Sequence, residues 1–502
     1  MKSHPLLPLH IVKSPKKSSV TQLRRWFKLN SRTKHLLHCA TMLTLIIVSI
    51  AKFTQNEHGT SGNSPENQDD IDNNIKNENN NNDNVNTFDP FQVYGTFFAS
   101  FLYFVRFLAL LALPQCCFNF FGLLLYNAFH KRVILKYSPS EAPFICLRTV
   151  TRGYYPNLVC ENVQQNIKTC SLVGLENFLI EVVTDKSIDG LIQHPRVRQV
   201  VVPPDYQTKT GALYKARALQ YALEEGINML KDNDYIVHLD EETLLTENCV
   251  RGILNFAADG EHSFGQGLIT YANGKVVNWI TTLADSFRVA DDMGKLRFQF
   301  YMFHKPLFGW KGSYVVSKMK AERAVSYDHG LDGSVAEDCF FSMVAFKRGY
   351  SFNFIEGEMH EKSPFTIKDL LQQRKRWMQG IYLVVHSPQI PLRNKFLLAI
   401  SLYSWLTVPL STSNVVLAML FPLPDDRFVI LNILVAFVGA TSLYMFIFGV
   451  AKSFSLMRLG YQKFFLCIIG ALCVMPFNVM VEIIAVFWGL IGNKYRFYIV
   501  QK

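Results

Sequence analysis

The sequence predicts a soluble α/β domain joined at both ends to α-helical membrane segments. Three observations support this prediction. The 502 residues are 49% apolar, yet the chain carries a net charge of +11, as expected for a membrane protein with basic cytoplasmic segments. Residues 140–380 alternate short apolar runs with helical patterns. Long apolar runs precede and follow that region.

The N-terminal part is predicted to alternate disordered and membrane-spanning segments. Residues 1–35 form a basic tail that contains Ser and Pro and is expected to be disordered, and residues 36–52 suffice for a short transmembrane helix. Residues 53–90 are rich in Asn and Asp, a composition that cannot bury a core, so a disordered loop is expected there. Residues 91–129 are apolar and aromatic over the length of a second span.

Residues 381–502 are predicted to form a C-terminal membrane region. Three of its runs are long enough to span a bilayer: 396–421, 428–451 and 464–492. Five simple spans would place the basic segment after the last run on the side opposite the α/β domain, against the positive-inside trend. Glu482 within that run is costly unless it is paired or faces water. The number of spans is therefore left open.

Basic residues precede the first predicted span, and the second predicted span is followed by the basic segment His130–Arg132. The positive-inside rule then places both flanks, and the α/β domain, in the cytosol. This indicates a multi-pass membrane protein whose α/β domain faces the cytosol. The ten cysteines include no CxxC pair, which favours reduced thiols without a zinc site. No nucleic-acid recognition motif accompanies the basic tail.

Within residues 140–380, four apolar runs are predicted strands: Phe144–Val150, Leu179–Thr184, Val197–Val202 and Tyr235–Leu239. Residues Ala212–Leu223 have helical spacing, and Gly226 is the expected stop signal. Asp185 follows the second strand, a position that suits contact with a nucleotide, although a turn-forming Asp is the more common explanation.

The fourth strand runs directly into three carboxylates. If the segment continues extended, Asp240 and Glu242 project to one side and can hold a divalent cation against a diphosphate. Hard oxygen ligands favour Mg²⁺ or Mn²⁺. The alternative is an acidic helix N-terminus, which the helix dipole favours in any case.

Residues 336–380 carry the most specific pattern. The segment opens near adjacent carboxylates, Glu337 and Asp338, and Asp338 begins a helical pattern that ends at Gly349. A second helical pattern closes with Gln373-Arg374-Lys375-Arg376-Trp377, where cations and an indole can meet an anionic, sugar-bearing ligand. A surface helix with ion pairs would also explain this last run on its own.

Taken in series, these motifs resemble those of the GT-A (Rossmann-like) glycosyltransferases of family two, which include cellulose, chitin and hyaluronan synthases. The family pattern is a base-binding Asp, a metal-binding DxD, an ED pair and Q(Q/R)xRW. This sequence departs from it by having Glu242 in place of the second DxD aspartate.

The resemblance implies a role for each matching residue. Asp338 would be the catalytic base, with Glu337 in support. Asp240 and Glu242 would bind Mn²⁺ or Mg²⁺, and Asp185 and Lys215 would contact the nucleotide. The residues implied at the diphosphate and the acceptor are Gln373, Arg374, Arg376, Trp377, Gly312 and Ser313.

Several longer segments, among them HLDEETLLTEN, DGSVAEDCFF and QQRKRWMQG, are similar to the egghead-type β-1,4-mannosyltransferases of glycosphingolipid synthesis. That resemblance implies GDP-mannose as donor, β-glucosylceramide as acceptor and an inverting transfer at a lipid bilayer. Three alternatives stay open. They are a processive polysaccharide synthase, a ceramide glucosyltransferase using a UDP-sugar, and a membrane transporter or scaffold with a degenerate transferase domain.

Overall fold

The computed structural model describes residues 30–55, 88–129, 132–191, 194–272, 276–424, 429–454, 456–495 and 498. Most of the predicted basic tail and of the predicted Asn-rich loop lies outside these residues.

A seven-stranded mixed sheet forms the centre of the α/β domain. Its strands are β1 (Ile145–Thr151), β2 (Phe178–Thr184), β3 (Val197–Val201), β4 (Tyr235–Leu239), β5 (Phe264–Thr270), β6 (Val315–Lys318) and β7 (Phe352–His360). Their order across the sheet is β3-β2-β1-β4-β6-β5-β7. Strands β1 to β4 are mutually parallel, and β6 is antiparallel to both of its neighbours. The predicted α/β class is confirmed, and the four predicted strands are β1 to β4.

The helices are α1 (Ser31–Gln55), α2 (Thr96–Leu108), α3 (Leu113–Leu125), α4 (Pro156–Val173), α5 (Tyr214–Tyr221), α6 (Glu247–Asp259), α7 (Trp279–Ala284), α8 (Ser286–Asp291), α9 (Met319–Val325), α10 (Glu337–Lys347), α11 (Ile367–His386), α12 (Leu392–Leu406), α13 (Val408–Leu420), α14 (Val429–Ser453) and α15 (Tyr461–Ile491). Shorter helical turns lie at Pro90–Val93, Ala109–Ala112, Pro139–Glu141 and Leu456–Leu459, and π-helical turns at Asp292–Leu296 and Gln299–Phe303.

Local signals set the helix ends that matter for the site. Thr366 caps α11, because its hydroxyl oxygen accepts a hydrogen bond from the Asp369 amide at 3.1 Å. Helix α10 ends just before Gly349, whose φ of 84° is the left-handed conformation expected of a C-terminal glycine. The helix predicted over Ala212–Leu223 is shorter in the structure, where only Tyr214–Tyr221 is helical.

Buried charges under the sheet are paired. The Arg148 guanidinium is fully buried on β1 and lies 2.7 Å from Glu181 and 3.4 Å from Glu322. His238 on β4 lies 2.7 Å from the other oxygen of Glu322. Since unpaired buried charges are costly, this network fixes β1, β2 and β4 relative to α9. These are the strands whose carboxyl ends form the site.

Four helical segments among the described residues are long and apolar enough to cross a membrane: Ser31–Lys52, Thr96–Leu125, Val429–Ser453 and Tyr461–Ile491. Helices α12 and α13 together form a fifth candidate, bent by 50° at Thr407. Each predicted apolar run is therefore helical. These candidates are defined by length and composition alone.

Candidate active site

A cleft of about 200 Å³ opens at the carboxyl ends of β1, β2 and β4. In sheets of this type, ligands bind beyond the carboxyl ends of parallel strands. The cleft is lined by residues that follow these strands, by the start of α5, by the segment after β7 and by α11: Thr151, Arg152, Tyr154, Tyr155, Asp185, Tyr214, Lys215, Asp240, Glu241, Glu242, Lys362, Phe365, Gln373 and Arg376 are among them.

Asp185 lies in the lining directly after β2, as the sequence pattern predicts. Its Oδ1 accepts a hydrogen bond from Arg217 at 3.1 Å. Arg217 is itself held by the carbonyl oxygens of Pro203 and Tyr206, so the carboxylate is fixed in direction. Tyr154 and Tyr155 line the same region of the cleft, where aromatic faces suit a nucleobase.

Lys215 lies at the centre of the site. Its ammonium group donates to Asp240 Oδ1 at 2.7 Å and to the Gly312 carbonyl at 3.2 Å, and it lies 3.8 Å from Glu337 Oε1. Burial opposes its charge, but Asp240 and Glu337 outweigh burial and raise the pKa of Lys215. The lysine is therefore a fixed positive charge between the strand-end carboxylates and α10.

The carboxylates after β4 do not lie in an extended segment, and that expectation is wrong. The Thr243 amide donates to the Asp240 carbonyl at 3.0 Å, which closes a turn. Both Asp240 and Glu242 nevertheless line the cleft. Glu241 also lines it and accepts a hydrogen bond from the Thr151 hydroxyl group. The turn thus delivers three successive carboxylates to one cavity.

The structure distinguishes the two adjacent carboxylates at the start of α10. Glu337 is buried, whereas Asp338 is half-buried. Burial, followed by the charge of Asp338, raises the pKa of Glu337 to about 7. Burial also raises the pKa of Asp338, against the opposing effects of the Cys339 amide, Lys215 and Arg376. The more accessible of the two is the predicted base.

Two neighbours fix Asp338. Its Oδ1 accepts a hydrogen bond from the Cys339 amide at 2.7 Å, and its backbone carbonyl accepts one from Trp310 Nε1 at 2.7 Å. A Cβ atom at Gly312 would lie 2.9 Å from Asp338 Oδ2, so glycine is what permits this close approach. Gly312 thus supports the predicted base directly.

Helix α11 divides the predicted QRKRW residues between two faces. Gln373 and Arg376, three residues apart, lie on one face and line the cleft. Arg374, about 100° further round, is buried and lies 2.8 Å from Asp285 and 3.1 Å from Glu482. The centroid of the Trp377 ring lies 4.6 Å from the Arg374 guanidinium group and 4.4 Å from that of Arg288.

Four residues implied at the ligand are thus not part of the cleft lining: Arg374, Trp377, Gly312 and Ser313. Arg374 and Trp377 anchor α11 to neighbouring helices. Ser313 is buried and donates to Glu361 at 2.6 Å, behind the strand-end turn. The partners of Arg374, Trp377 and Ser313 are distant in sequence, and a role of these residues at the ligand stays a prediction.

Three curated relatives match over most of this chain. It is 64% identical over 390 residues to "Beta-1,4-mannosyltransferase egh" of Drosophila melanogaster, an alignment that covers 78% of this chain and 85% of the fly protein. It is 62% and 61% identical to "Beta-1,4-mannosyltransferase bre-3" of Caenorhabditis elegans and Caenorhabditis briggsae, with the same coverage. The family model "Glycosyl transferase family group 2" matches residues 235–480.

The chain belongs to the β-1,4-mannosyltransferases of glycosyltransferase family 2. Among solved structures, S. aureus TarS 1-349 aligns with 68% of this mannosyltransferase and 90% of its own length. Sequence identity is 12% and the TM-score is 0.33, below the level at which two folds are equated.

The sequence motifs did not identify Glu361, a residue of the mannosyltransferase site. Glu361 follows β7 and accepts hydrogen bonds from Ser313 at 2.6 Å and from Thr243 at 2.7 Å. Burial, followed by the charges of Asp240 and Glu242, raises the pKa of Glu361 to about 7. A two-way hydrogen-bonded bridge between His360, the last residue of β7, and Leu244 brings Glu361 close to the strand-end turn. The sole sequence signal was an acid directly after a strand.

The residues at this turn fit a divalent cation by their chemistry. Asp240, Glu242 and Glu361 offer hard oxygen atoms, the donors that Mg²⁺ and Mn²⁺ prefer. The electrostatic effect of Asp240 and Glu242 on Glu361 marks a region with excess negative charge. A cation would relieve that excess. Lys215 occupies Asp240 Oδ1 and supplies one positive charge of its own.

Proposed function

We propose that this enzyme transfers mannose from GDP-mannose to β-glucosylceramide with inversion, forming β-1,4-mannosyl-glucosylceramide. The observation that carries the proposal is the convergence of Lys215, the strand-end carboxylates and Arg376 on one cleft, in a chain 61–64% identical to β-1,4-mannosyltransferases. Asp338 lies next to Glu337, which is 3.8 Å from the Lys215 ammonium group. The donor and the acceptor come from the family resemblance, and the site offers groups suited to both.

The proposed reaction is a single displacement at the anomeric carbon. Asp338 accepts the proton of the acceptor hydroxyl group as that oxygen forms the new glycosidic bond. The bond from the anomeric carbon to the diphosphate breaks, and GDP leaves. The Cys339 amide and the charge of Lys215 favour the basic form of Asp338, against the burial that raises its pKa. No covalent sugar–enzyme intermediate is needed.

The proposed donor site extends from Asp185 to α11. Asp185 receives the nucleoside, in line with its place after β2. Arg376 and Gln373 contact the diphosphate and the acceptor, because they project from α11 into the cleft. When bound to Asp240, Glu242 and Glu361, a Mg²⁺ or Mn²⁺ ion would neutralise charge that develops on the leaving diphosphate.

A lipid acceptor is supported by the place of the cleft beside apolar helices. Helix α11, which carries Gln373 and Arg376, packs along α15, whose outer face is apolar. A glycolipid headgroup can then reach Asp338 while its ceramide stays in the bilayer. We place this reaction on the cytosolic face of the endoplasmic reticulum or Golgi, in accordance with the basic flanks of the first two spans.

The decisive experiment is a transfer assay with the purified full-length enzyme in lipid. GDP-mannose, UDP-glucose and UDP-N-acetylglucosamine are each tested with glucosylceramide, with ceramide and without acceptor, and products are identified by mass spectrometry. We expect one hexose to be added to glucosylceramide from GDP-mannose alone. Transfer to ceramide from UDP-glucose, or a polymer made without lipid, would replace this proposal by one of its alternatives. The Asp338→Asn variant is the matched control.

A further inference from the structure

The last apolar helix, α15, contacts the α/β domain near its beginning. Cys467 and Ala471 are buried in one apolar cluster with Ala272, which follows β5, and with Leu283 of α7. A Cβ atom at Gly470 would lie 3.0 Å from the Leu283 side chain. The first turns of α15 therefore lie against the domain.

The same helix contacts the domain again at its end. Gln379 of α11 donates to the carbonyl oxygen of Gly489 at 3.0 Å and of Gly492 at 3.4 Å. The Lys375 ammonium group lies 4.4 Å from the Trp488 ring centroid. Both termini of α15 thus pack on elements of one domain.

The segment that follows α15 stays on this domain. Tyr214, which lines the cleft, donates to the Tyr495 carbonyl at 2.8 Å. Tyr498 donates to Asp369 of α11 at 3.0 Å. The chain after α15 therefore lies on the side of the membrane that holds the catalytic domain.

Length decides between a spanning and an in-plane helix. From Cys467 to Gly489 the helix extends about 33 Å at 1.5 Å per residue. That is about the thickness of the hydrocarbon core, roughly 30 Å. A perpendicular helix would separate these residues by a whole bilayer, yet both contact the α/β domain. We infer that α15 does not cross the membrane but lies in the plane of the leaflet beneath the catalytic domain.

The two faces of α15 fit this position. Small side chains occupy the buried face, which carries Cys467, Ala471, Ala485 and Gly489 at helical spacing. Large apolar side chains on the opposite face are 36–87% exposed: Phe465, Ile469, Leu472, Met480, Ile484, Phe487 and Ile491. Such an exposed apolar stripe requires an apolar partner. Lipid acyl chains are that partner, because α15 packs against α13 and α14, which belong to segments apolar enough to cross a membrane.

The other membrane helices agree with this topology. Lys452 near the end of α14 donates to the Ala128 carbonyl, just after α3, at 3.0 Å. Tyr94, before α2, donates to the Pro422 carbonyl, after α13, at 3.1 Å. Helix α1, the α2–α3 pair, the α12–α13 pair and α14 then make four crossings among the described residues. An even number returns the chain to the catalytic side before α15 begins.

This arrangement removes the conflict with the positive-inside trend. Five crossings would separate the basic residues after α15 from those before α1. With α15 in the plane, both basic segments lie on the side of the catalytic domain. The inference concerns position relative to that domain and does not depend on the donor or the acceptor.

Glycosylation tags test the inference on the full-length protein in cells. The sequence contains no Asn-x-Ser/Thr acceptor, so the background is clean. One variant carries a spaced acceptor tag after residue 502, and the matched control carries the same tag within residues 56–87. We expect the two tags to lie on opposite sides, with the loop tag glycosylated and the C-terminal tag cleaved by protease added to sealed vesicles. Tags on the same side would overturn the inference, whichever side that is.

A depth profile provides an independent readout. A fluorescent amino acid is placed at Phe465, Met480 or Ile491, and quenching is measured with lipids that carry nitroxides at set depths. We expect one shallow depth for all three positions. The matched control is α14, where Ile430 and Val438 should differ in depth by about 12 Å at 1.5 Å per residue. A profile in which Met480 is much deeper than both ends would refute the in-plane position.

Discussion

The Arg374 guanidinium group lies 3.1 Å from the carboxylate of Glu482, and this pair joins the active-site helix α11 to the apolar helix α15. Trp405 donates to the other Glu482 oxygen at 2.9 Å, and Arg374 also contacts Asp285 at 2.8 Å. Glu482, costly in an apolar run, is thus fully engaged. It holds α11 in the orientation that directs Gln373 and Arg376 into the cleft.

Replacing Glu482 by Gln should weaken this joint. The charge-assisted contact to Arg374 is lost while the side-chain shape is kept, so we expect a loss of about 1.5–3 kcal/mol of stability. Thermal unfolding of the purified enzyme measures it. Glu247→Gln is the matched control, because Glu247 is half-exposed in its i,i+4 pair with Arg251, and such helix pairs contribute about 0.3–0.5 kcal/mol. Equal effects of the two substitutions would rule out a special role for Glu482.

The sequence was sufficient where chemistry follows local pattern. Asp185 and Asp240 come directly after apolar runs that are β2 and β4, and the geometry of parallel strands alone brings them to one cleft. The helical spacing likewise predicts a helix from Asp338, and α10 begins one residue earlier, at Glu337. For these residues, local hydrophobic pattern and tertiary structure agree.

The local sequence pattern did not predict the positions of side chains whose partners are distant in the chain. Glu361 enters the site through the bridge between His360 and Leu244, and the buried Ser313 hydroxyl group donates to Glu361. Arg374 points away from the cleft because it contacts Glu482, which lies 108 residues further along the chain. The family motifs imply a ligand contact for both Arg374 and Ser313, whereas their side chains contact Glu482 and Glu361, which no motif includes.

A close approach between α14 and α8 gives a second prediction. A Cβ atom at Gly449 would lie 1.8 Å from the Ser286 carbonyl oxygen, a backbone atom that cannot move alone. Gly449→Ala should therefore separate the two helices and reduce the yield and melting temperature of folded enzyme. Gly439→Ala on the same helix meets nothing within 4 Å and is the matched control. An unchanged melting temperature in Gly449→Ala would show that the helices do not approach this closely.

The strand-end carboxylates should govern metal dependence. We expect Asp240→Ala and Glu242→Ala to raise the Mn²⁺ or Mg²⁺ concentration needed for half-maximal turnover at least tenfold, with little change in melting temperature. A titration of activity against each metal after chelator treatment measures this. Asp232→Ala removes a half-exposed carboxylate far from the cleft and should leave the titration unchanged. Full activity of wild-type enzyme in excess chelator would exclude a metal role.

Glu361 should make the metal-free enzyme sensitive to pH. Burial, followed by Asp240 and Glu242, raises its pKa to about 7 from an ordinary value of 4.5. The folded state therefore binds this proton more tightly than the unfolded state, and the associated stability is lost as pH rises through about 7. Glu361→Gln removes this titration and should flatten the fall in melting temperature between pH 5 and about 8. An unchanged slope in the variant would assign the pH dependence to other groups.

The last prediction concerns which of two adjacent carboxylates is the base. Glu337 and Asp338 point about 100° apart on α10, and Asp338 is the less buried. Asp338→Asn keeps the size of the side chain and its contact with the Cys339 amide but removes the proton acceptor. We expect turnover to fall by roughly 10²-fold or more. GDP-mannose affinity should change little, because the residues proposed to hold the nucleotide remain.

The pH dependence of turnover separates the two assignments. A base acts when deprotonated, so activity is lost as pH falls through its pKa, which burial raises above the ordinary value for Asp338. Glu337→Gln should keep this acidic limb and most of the turnover, whereas the residual activity of Asp338→Asn should lack it. Turnover, donor affinity and melting temperature are measured on the same preparations. Near-normal turnover in Asp338→Asn together with an inactive, folded Glu337→Gln would move the base by one residue, to the buried carboxylate beside Lys215.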